Sequence, residues 1–152
     1  MLSSKVRYAL KALLFLARQH DRGPVLISEI AHSERIPRKF LELILLDLKK
    51  HGLLQSKKGK GGGYFLRRNP SAVSVGDIVR ALEGQIEPQP CTGGMEGAGC
   101  QECDNEEACG ARMVMQEVND ATSKILDSTT VANLLDRIEL VSASPQQSMY
   151  CI

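Results

Sequence analysis

"LISEIAHSERIPRKFLELILLDLKKHGLLQSKKGKGGGYFLRR" spans Leu26–Arg68, and the fold turns on how it is read. Ser28 suits the N-cap of a short helix over 29–33, because its hydroxyl can take up an orphan amide of the first turn. A turn around Glu34–Ile36 follows. Pro37 suits the first position of a second helix, where its missing N–H removes no bond. That helix runs to about His51 and stops at Gly52. Leu41, Ile44, Leu45 and Leu48 line one of its faces at helical spacing, and Arg38, Lys39 and Glu42 share the opposite face of its first turn. Length and spacing fit a helix-turn-helix and an ordinary helical hairpin equally well.

The rest of the stretch separates the two. Leu53–Lys57 and Tyr64–Arg67 are short strand-like runs around a glycine-rich tip. Together they form a β-hairpin carrying Lys57, Lys58, Lys60, Arg67 and Arg68. Glycines at 59, 61, 62 and 63 permit positive φ and a close approach of backbone to a ligand. A phosphate-binding P-loop would need lysine and Ser or Thr after its last glycine, leading into a helix; here Tyr64 leads into a strand. Helix-turn-helix plus basic hairpin makes a winged helix. Its second helix would enter a major groove, with the wing along a minor groove or the phosphates.

Further out, "SSKVRYALKALLFLARQH" is an amphipathic helix started by Ser3 or Ser4, with Val6, Ala9, Leu10, Leu13, Leu14 and Ala17 as its apolar stripe. Charge divides the chain. Through Pro70 there are fifteen Lys and Arg against five Asp and Glu; from Ser71 onward there are four against thirteen. A half carrying +10 is the footprint of a polyanion-binding surface, most simply for nucleic acid. At 152 residues the chain suits one domain, or one domain with an appendage. Aromatics are only 4% and tryptophan is absent, so the core must be aliphatic. "ALLFLA" is too short for a membrane span and lacks the flanks of a secretory signal, so a cytoplasmic protein without membrane contact is expected. No acid/base constellation or cofactor fingerprint points to an enzyme.

The acidic half begins with "SVGDIVRALEG", a helix capped by Ser74 with Asp77 closing a capping box; Val75, Ile78, Val79 and Leu82 form its apolar side. After the linker "GQIEPQP" comes "CTGGMEGAGCQECDNEEAC", Cys91–Cys109. It holds Cys91, Cys100, Cys103 and Cys109, five acids and no Lys or Arg. Such a loop buries too little to order itself and needs a ligand to do so. In a reducing compartment the thiols point to an iron–sulfur cluster, a structural zinc or a redox switch rather than a disulfide. Gaps of eight, two and five residues lack the two paired Cys-x2-Cys hooks of zinc fingers. Next, Gly110–Asp127 reads as a long helix with Val114, Val118, Ala121 and Ile125 along one side, a stripe that needs a partner. "TTVANLL" is a final short helix, and "SASPQQSMYCI" is a disordered tail in which Cys151 has no motif partner. The layout is thus a DNA-binding domain over 1–84, a cysteine loop over 85–110, helices over 111–135 and a tail over 136–152.

"YALKALLFLA", "ISEIA", "IPRKFLELIL", "LKKHGLL", "KKGKGGGYFL" and "VSVGDIVRALEG", in this order and spacing, resemble the Rrf-two family of bacterial winged-helix transcription regulators over about residues 1–135. The resemblance implies a mainly α fold with a small β wing, and a homodimer formed through the long helix. The bland alternative is that this helix packs on the chain's own first helix. It also implies repression from a pseudo-palindromic operator in double-stranded DNA. Ser28 would contact a phosphate, Glu42 a cytosine amino group, and Arg38 and Lys39 phosphates or bases. Lys58 and the Gly61 backbone would sit at the wing tip beside Lys60; lysine at 58 is a weaker minor-groove anchor than the family's frequent arginine. Glu42 could instead simply pair with Arg38 or Lys39 on the helix surface. Cys91, Cys103 and Cys109 match the family's cluster cysteines. The chain departs from the pattern in a longer loop containing Cys100 and in Arg112, where cluster-binding members carry histidine. The fourth ligand is therefore open among Cys100, Glu106 or Glu107, a partner residue and a small molecule. An all-cysteine site would suit 2Fe–2S and 4Fe–4S equally on spacing alone. Regulation through iron–sulfur status, oxidants or nitric oxide follows from the resemblance. The rivals are a metal-free repressor of cysteine or sulfur metabolism working by thiol chemistry or a partner protein, and a small redox protein.

Overall fold

The computed structural model describes residues 3–84 and 109–143. Its helices are α1 (Ser4–Arg18), α2 (Ile27–Glu34), α3 (Arg38–Lys50), α4 (Val75–Glu83), α5 (Gly110–Ser128) and α6 (Val131–Ala143). Strands β1 (Leu54–Lys57) and β2 (Gly63–Leu66) form an antiparallel hairpin, with Leu54 opposite Leu66 and Lys57 opposite Gly63. The fold is mainly α with a small β wing.

Helix α1 is the axis of the core. Ser3 caps it, accepting from the Val6 amide at 3.3 Å. Its buried face is Val6, Ala9, Ala12, Leu13, Leu16 and Ala17, so Ala12 and Leu16 go inward while Leu10 and Leu14 are only half-buried. The expected stripe is rotated because α1 is gripped from several sides, by α2, α3, α4 and α6. Ile44, Leu45 and Leu48 of α3, Leu54 and Leu66 of the hairpin, and Ile78 of α4 close around it. Burying each such side chain contributes about 1.5–3 kcal/mol before chain entropy is set against it. Tyr8 meets Phe40 edge-on, with ring centroids 5.7 Å apart, which seats the first turn of α3 on α1.

Two expected helix starts shift. Ser28 does not cap α2. The N-cap is Leu26, without a side-chain bond, and Ser28 lies exposed in the first turn. The cause is a backbone bridge. The Val25 amide donates to the Tyr64 carbonyl at 2.9 Å and the Tyr64 amide donates back at 2.8 Å, so the chain is extended through Leu26 and coils immediately after. Pro37 is the N-cap of α3 rather than its first residue. Between the helices Arg35 takes a left-handed conformation, φ 53°, and the Ile36 amide bonds back to the Ala31 carbonyl at 3.0 Å. This tight reversal drops Ile36 into the core.

The capping box of α4 is present, the Ser74 amide donating to Asp77 Oδ2 at 3.2 Å and the Asp77 amide to Ser74 Oγ at 3.0 Å. The α5–α6 corner is stitched beside it: Val75 donates to the Thr129 carbonyl at 2.8 Å, and Val131 to the Val73 carbonyl at 2.9 Å. Helix α6 packs on α1 and outruns the expected short helix, since residues 136–143, read as tail, continue it. Leu, Glu, Arg and Ala in this segment are good helix formers. The remaining tail residues, Cys151 included, lie outside the described residues.

Candidate nucleic-acid interface

On α3, burial of Leu41, Ile44, Leu45 and Leu48 turns Arg38, Lys39 and Glu42 outward together. Arg38 Nε donates to Glu42 Oε1 at 3.2 Å, one helical turn away, and both side chains are exposed. In this chain alone, then, Glu42 makes the surface pair with Arg38, not with Lys39. Such a pair holds by only a few tenths of a kcal/mol and opens readily toward a new partner. Leu43 and Leu46 share this outer face at 59% and 44% exposure, a feature the sequence reading did not single out.

The far end of α3 is fastened. Lys5 Nζ donates to Asp47 Oδ2 at 2.8 Å, joining α1 to α3, and Lys50 lies 3.7 Å from Oδ1 of the same carboxylate. The Lys5 hydrogen bond is the main cause that holds the Asp47 carboxyl below its ordinary range. Lys49 Nζ donates to Ser56 Oγ at 2.6 Å, tying α3 to the first wing strand.

The wing tip is a turn in which the Gly62 amide donates to the Gly59 carbonyl at 3.0 Å. Lys58, Lys60 and Gly61 stand exposed on it, as do Arg67 and Arg68 at the hairpin's foot. Gly63 has φ 146°, and a Cβ there would overlap the Val25 backbone. Glycine is thus required where the wing is bonded to the strand-like segment ahead of α2. The bridge fixes the wing relative to α2 and α3, bringing Ser28, Arg38, Lys39, Glu42, Lys58, Lys60 and Gly61 onto one winged unit.

Of the four loop cysteines, Cys91, Cys100 and Cys103 lie outside the described residues, together with Glu106 and Glu107. Cys109 is the N-cap of α5 and half-buried. A helix N-terminus presents orphan amides and the positive end of the helix dipole, which favours thiolate over thiol. No acid occupies the first turn of α5, and Arg112 does. The one described cysteine therefore sits where an anionic sulfur ligand fits.

Helix α5 is about 28 Å long, and none of its residues is buried. Val114, Val118, Ala121 and Ile125 are exposed along it, Val118 at 47% and Ile125 at 64%. Among the described residues it packs mainly on α4. Arg80 Nη2 donates to Asp127 Oδ1 at 2.6 Å, and this bond is the main cause that raises the guanidinium above its ordinary range. A Cβ on Gly76 would overlap the Asp127 carboxylate, so this glycine makes room for the last turn of α5. Neither Gly76 nor the Arg80–Asp127 pair carried a signal in the sequence, because 47 residues separate the partners.

Known proteins resemble this chain in sequence and in fold. The Rrf2 family model, an iron-dependent transcriptional regulator, matches residues 2–137. An rrf2-like HTH-type transcriptional regulator of Rhodobacter capsulatus is 41% identical over 89% of this chain and 92% of its own. The HTH-type transcriptional regulator IscR of Escherichia coli is 31% identical over 96% of this chain and 86% of its own. Among solved structures, the global cysteine regulator CymR of B. subtilis superposes with a TM-score of 0.75 at 32% identity, covering 90% of this chain and 97% of its own. IscR of T. potens does so with 0.76 at 29% identity, covering 99% and 96%.

Proposed function

The chain belongs to the Rrf2 family of DNA-binding transcriptional regulators, and from that premise we propose a homodimeric repressor that senses through a cysteine-held iron–sulfur cluster. One observation carries the sensing part: Cys109 caps the helix whose opposite end is fastened to α4. A change in what the cysteines hold would act first on the N-terminal end of α5 and reach the winged domain through Asp127, Arg80 and the seam at Val73–Val75. Cys91, Cys103 and Cys109 would hold the cluster, with Cys100 the leading candidate for the fourth position. A bound cluster would supply a centre that oxidants and nitric oxide attack. The protein's part is to convert the state of the loop into a different DNA affinity; without that difference ligation would shift nothing.

DNA would meet Arg38, Lys39 and Glu42 in the major groove, Ser28 at a phosphate, and Lys58, Lys60 and Gly61 along the wing. The exposed stripe Val114, Val118, Ala121 and Ile125 supports pairing of two copies through α5, which suits a pseudo-palindromic operator read one half-site per subunit.

The likeness to CymR, at 32% identity, supports a second reading: a cysteine-responsive repressor that holds no metal. Iron and acid-labile sulfide per chain after anaerobic preparation decide between them. The cluster reading expects a brown protein whose iron falls sharply in Cys103→Ser. Iron content unchanged by that substitution would overturn the ligand set, and a metal-free protein whose operator affinity still follows thiol oxidation would establish the second reading. Cys100→Ser tests the fourth position in the same assay.

A further inference from the structure

We propose that Leu43, flanked by Leu46, is a specificity-determining residue that reads thymine methyl groups in the major groove. This rests on the reading that α3 enters that groove. Lys39, Glu42, Leu43 and Leu46 follow at i, i+3, i+4 and i+7, so they form one continuous outer face. A helix that only had to be soluble would carry polar residues there. Instead Leu43 and Leu46 are 59% and 44% exposed, between Glu42 and the basic end Lys49–Lys50.

The surroundings identify the occupant. Two exposed leucines could mark a protein contact, but this pair is set among cations on a half of the chain that carries +10, beside a basic wing bonded to the same unit. That charge complements a polyanion, and the only apolar group the major groove offers at base edges is the thymine C5-methyl. Glu42 beside it can accept from cytosine N4. The pair Glu42–Leu43 thus suits adjacent or cross-strand cytosine and thymine positions, one read by hydrogen bond and the other by apolar contact. Glu42 is turned toward Arg38, so Leu43 stands open next to it.

The test uses a duplex selected by the full-length protein from a randomised pool, and copies in which each thymidine in turn is replaced by deoxyuridine, removing only the methyl. Losing one buried methyl weakens binding about fourfold. Wild type should show that loss at one thymine position in each half-site. Leu43→Ala should bind the parent duplex more weakly and be indifferent, within about 1.5-fold, to the same replacement. Leu43→Gln should select adenine at that position, since an amide pairs with adenine N6 and N7. Thermal unfolding of both variants checks that the fold is intact, and Leu46→Ala provides a second exposed substitution. The inference falls if wild type is indifferent to every methyl, if Leu43→Ala keeps the wild-type dependence, or if Leu43→Ala changes the oligomeric state instead, which would make the face a protein contact. Failure of the pool to enrich any sequence would count against the DNA reading itself, a distinct outcome.

Discussion

The winged unit, residues 3–84, and the helical pair α5–α6 differ in how far one chain completes them. In the first, every α-helix buries at least one side chain, and Leu13, Ile30, Leu41, Ile44, Leu45 and Ile78 are fully enclosed. In the second, 19 residues of α5 bury nothing, and α6 buries only Val131. Leu140 and Val141 stand exposed at the end of α6, as Val114, Val118 and Ile125 do along α5. The lesson is one of division: the winged unit encloses most of its own core, with Val131 of α6 completing it, whereas α5 carries an apolar stripe that no described residue buries. A reader of DNA gains from a rigid unit with a fixed helix-to-wing geometry. Helix α5 is held to α4 at its last turn, through Asp127 and Arg80.

The sharpest way to break this contrast is inside the closed core. Leu45→Ala should cost about 2–5 kcal/mol, read as a lower midpoint in urea; a loss below 1 kcal/mol would show that the winged unit is less closed than its burial implies. On α5, Val118→Glu should leave the secondary structure intact but raise the dimer dissociation constant about a hundredfold, some 2.7 kcal/mol, by sedimentation. Unchanged assembly would remove α5 as the pairing surface. At the seam between the two regions, Ser74→Ala deletes half of the capping box and should cost about 1 kcal/mol in thermal or chemical unfolding. A cost near zero would mean that the bridge to Thr129–Val131 holds α4 by itself.

The smallest effect is a pH dependence. Asp47 has its folded pKa held below the unfolded 3.8 by the Lys5 hydrogen bond first, so its contribution is present above that pH and is lost as the pH falls through the lower folded value. The stability difference between wild type and Lys5→Met should therefore shrink as the pH drops below about 4. The pair is about one-third exposed, so the difference stays under about 1 kcal/mol. A constant difference from pH 7 to pH 2.5, by urea unfolding, would show that Lys5 acts through packing rather than charge.

Much of the winged unit was legible in the sequence because its signals are local. Leu41, Ile44, Leu45 and Leu48 repeat within one helix and are all buried. Ser74 and Asp77 cap within three residues of each other. The glycine-rich tip sits between two short strands that pair in register. Ser28 misled because its candidacy as a cap depended on where the chain becomes free to coil, and the distant Tyr64 sets that point. Leu10 and Leu14 misled because α1 has neighbours on several sides, and periodicity counts apolar residues without saying which way each is gripped. The length of α6 was missed because Asp136, Arg137 and Glu139 are exposed and break the apolar pattern while still favouring a helix. The outward Leu43 and Leu46 were overlooked because they look like core residues until the four buried positions of α3 are known.

What the sequence alone determined is the inventory: the existence and order of the helices, the basic hairpin, the division of charge and the thiols ahead of the long helix. Each follows from interactions between residues close in the chain, where periodicity, capping and turn chemistry act. Only the tertiary structure decided which side of α1 faces inward, that Gly63 must admit the Val25 backbone, and that Gly76 and Arg80 receive Asp127. Those choices depend on groups brought together across dozens of residues by burial of the shared core, and burial is satisfied by the whole assembly rather than by any one segment.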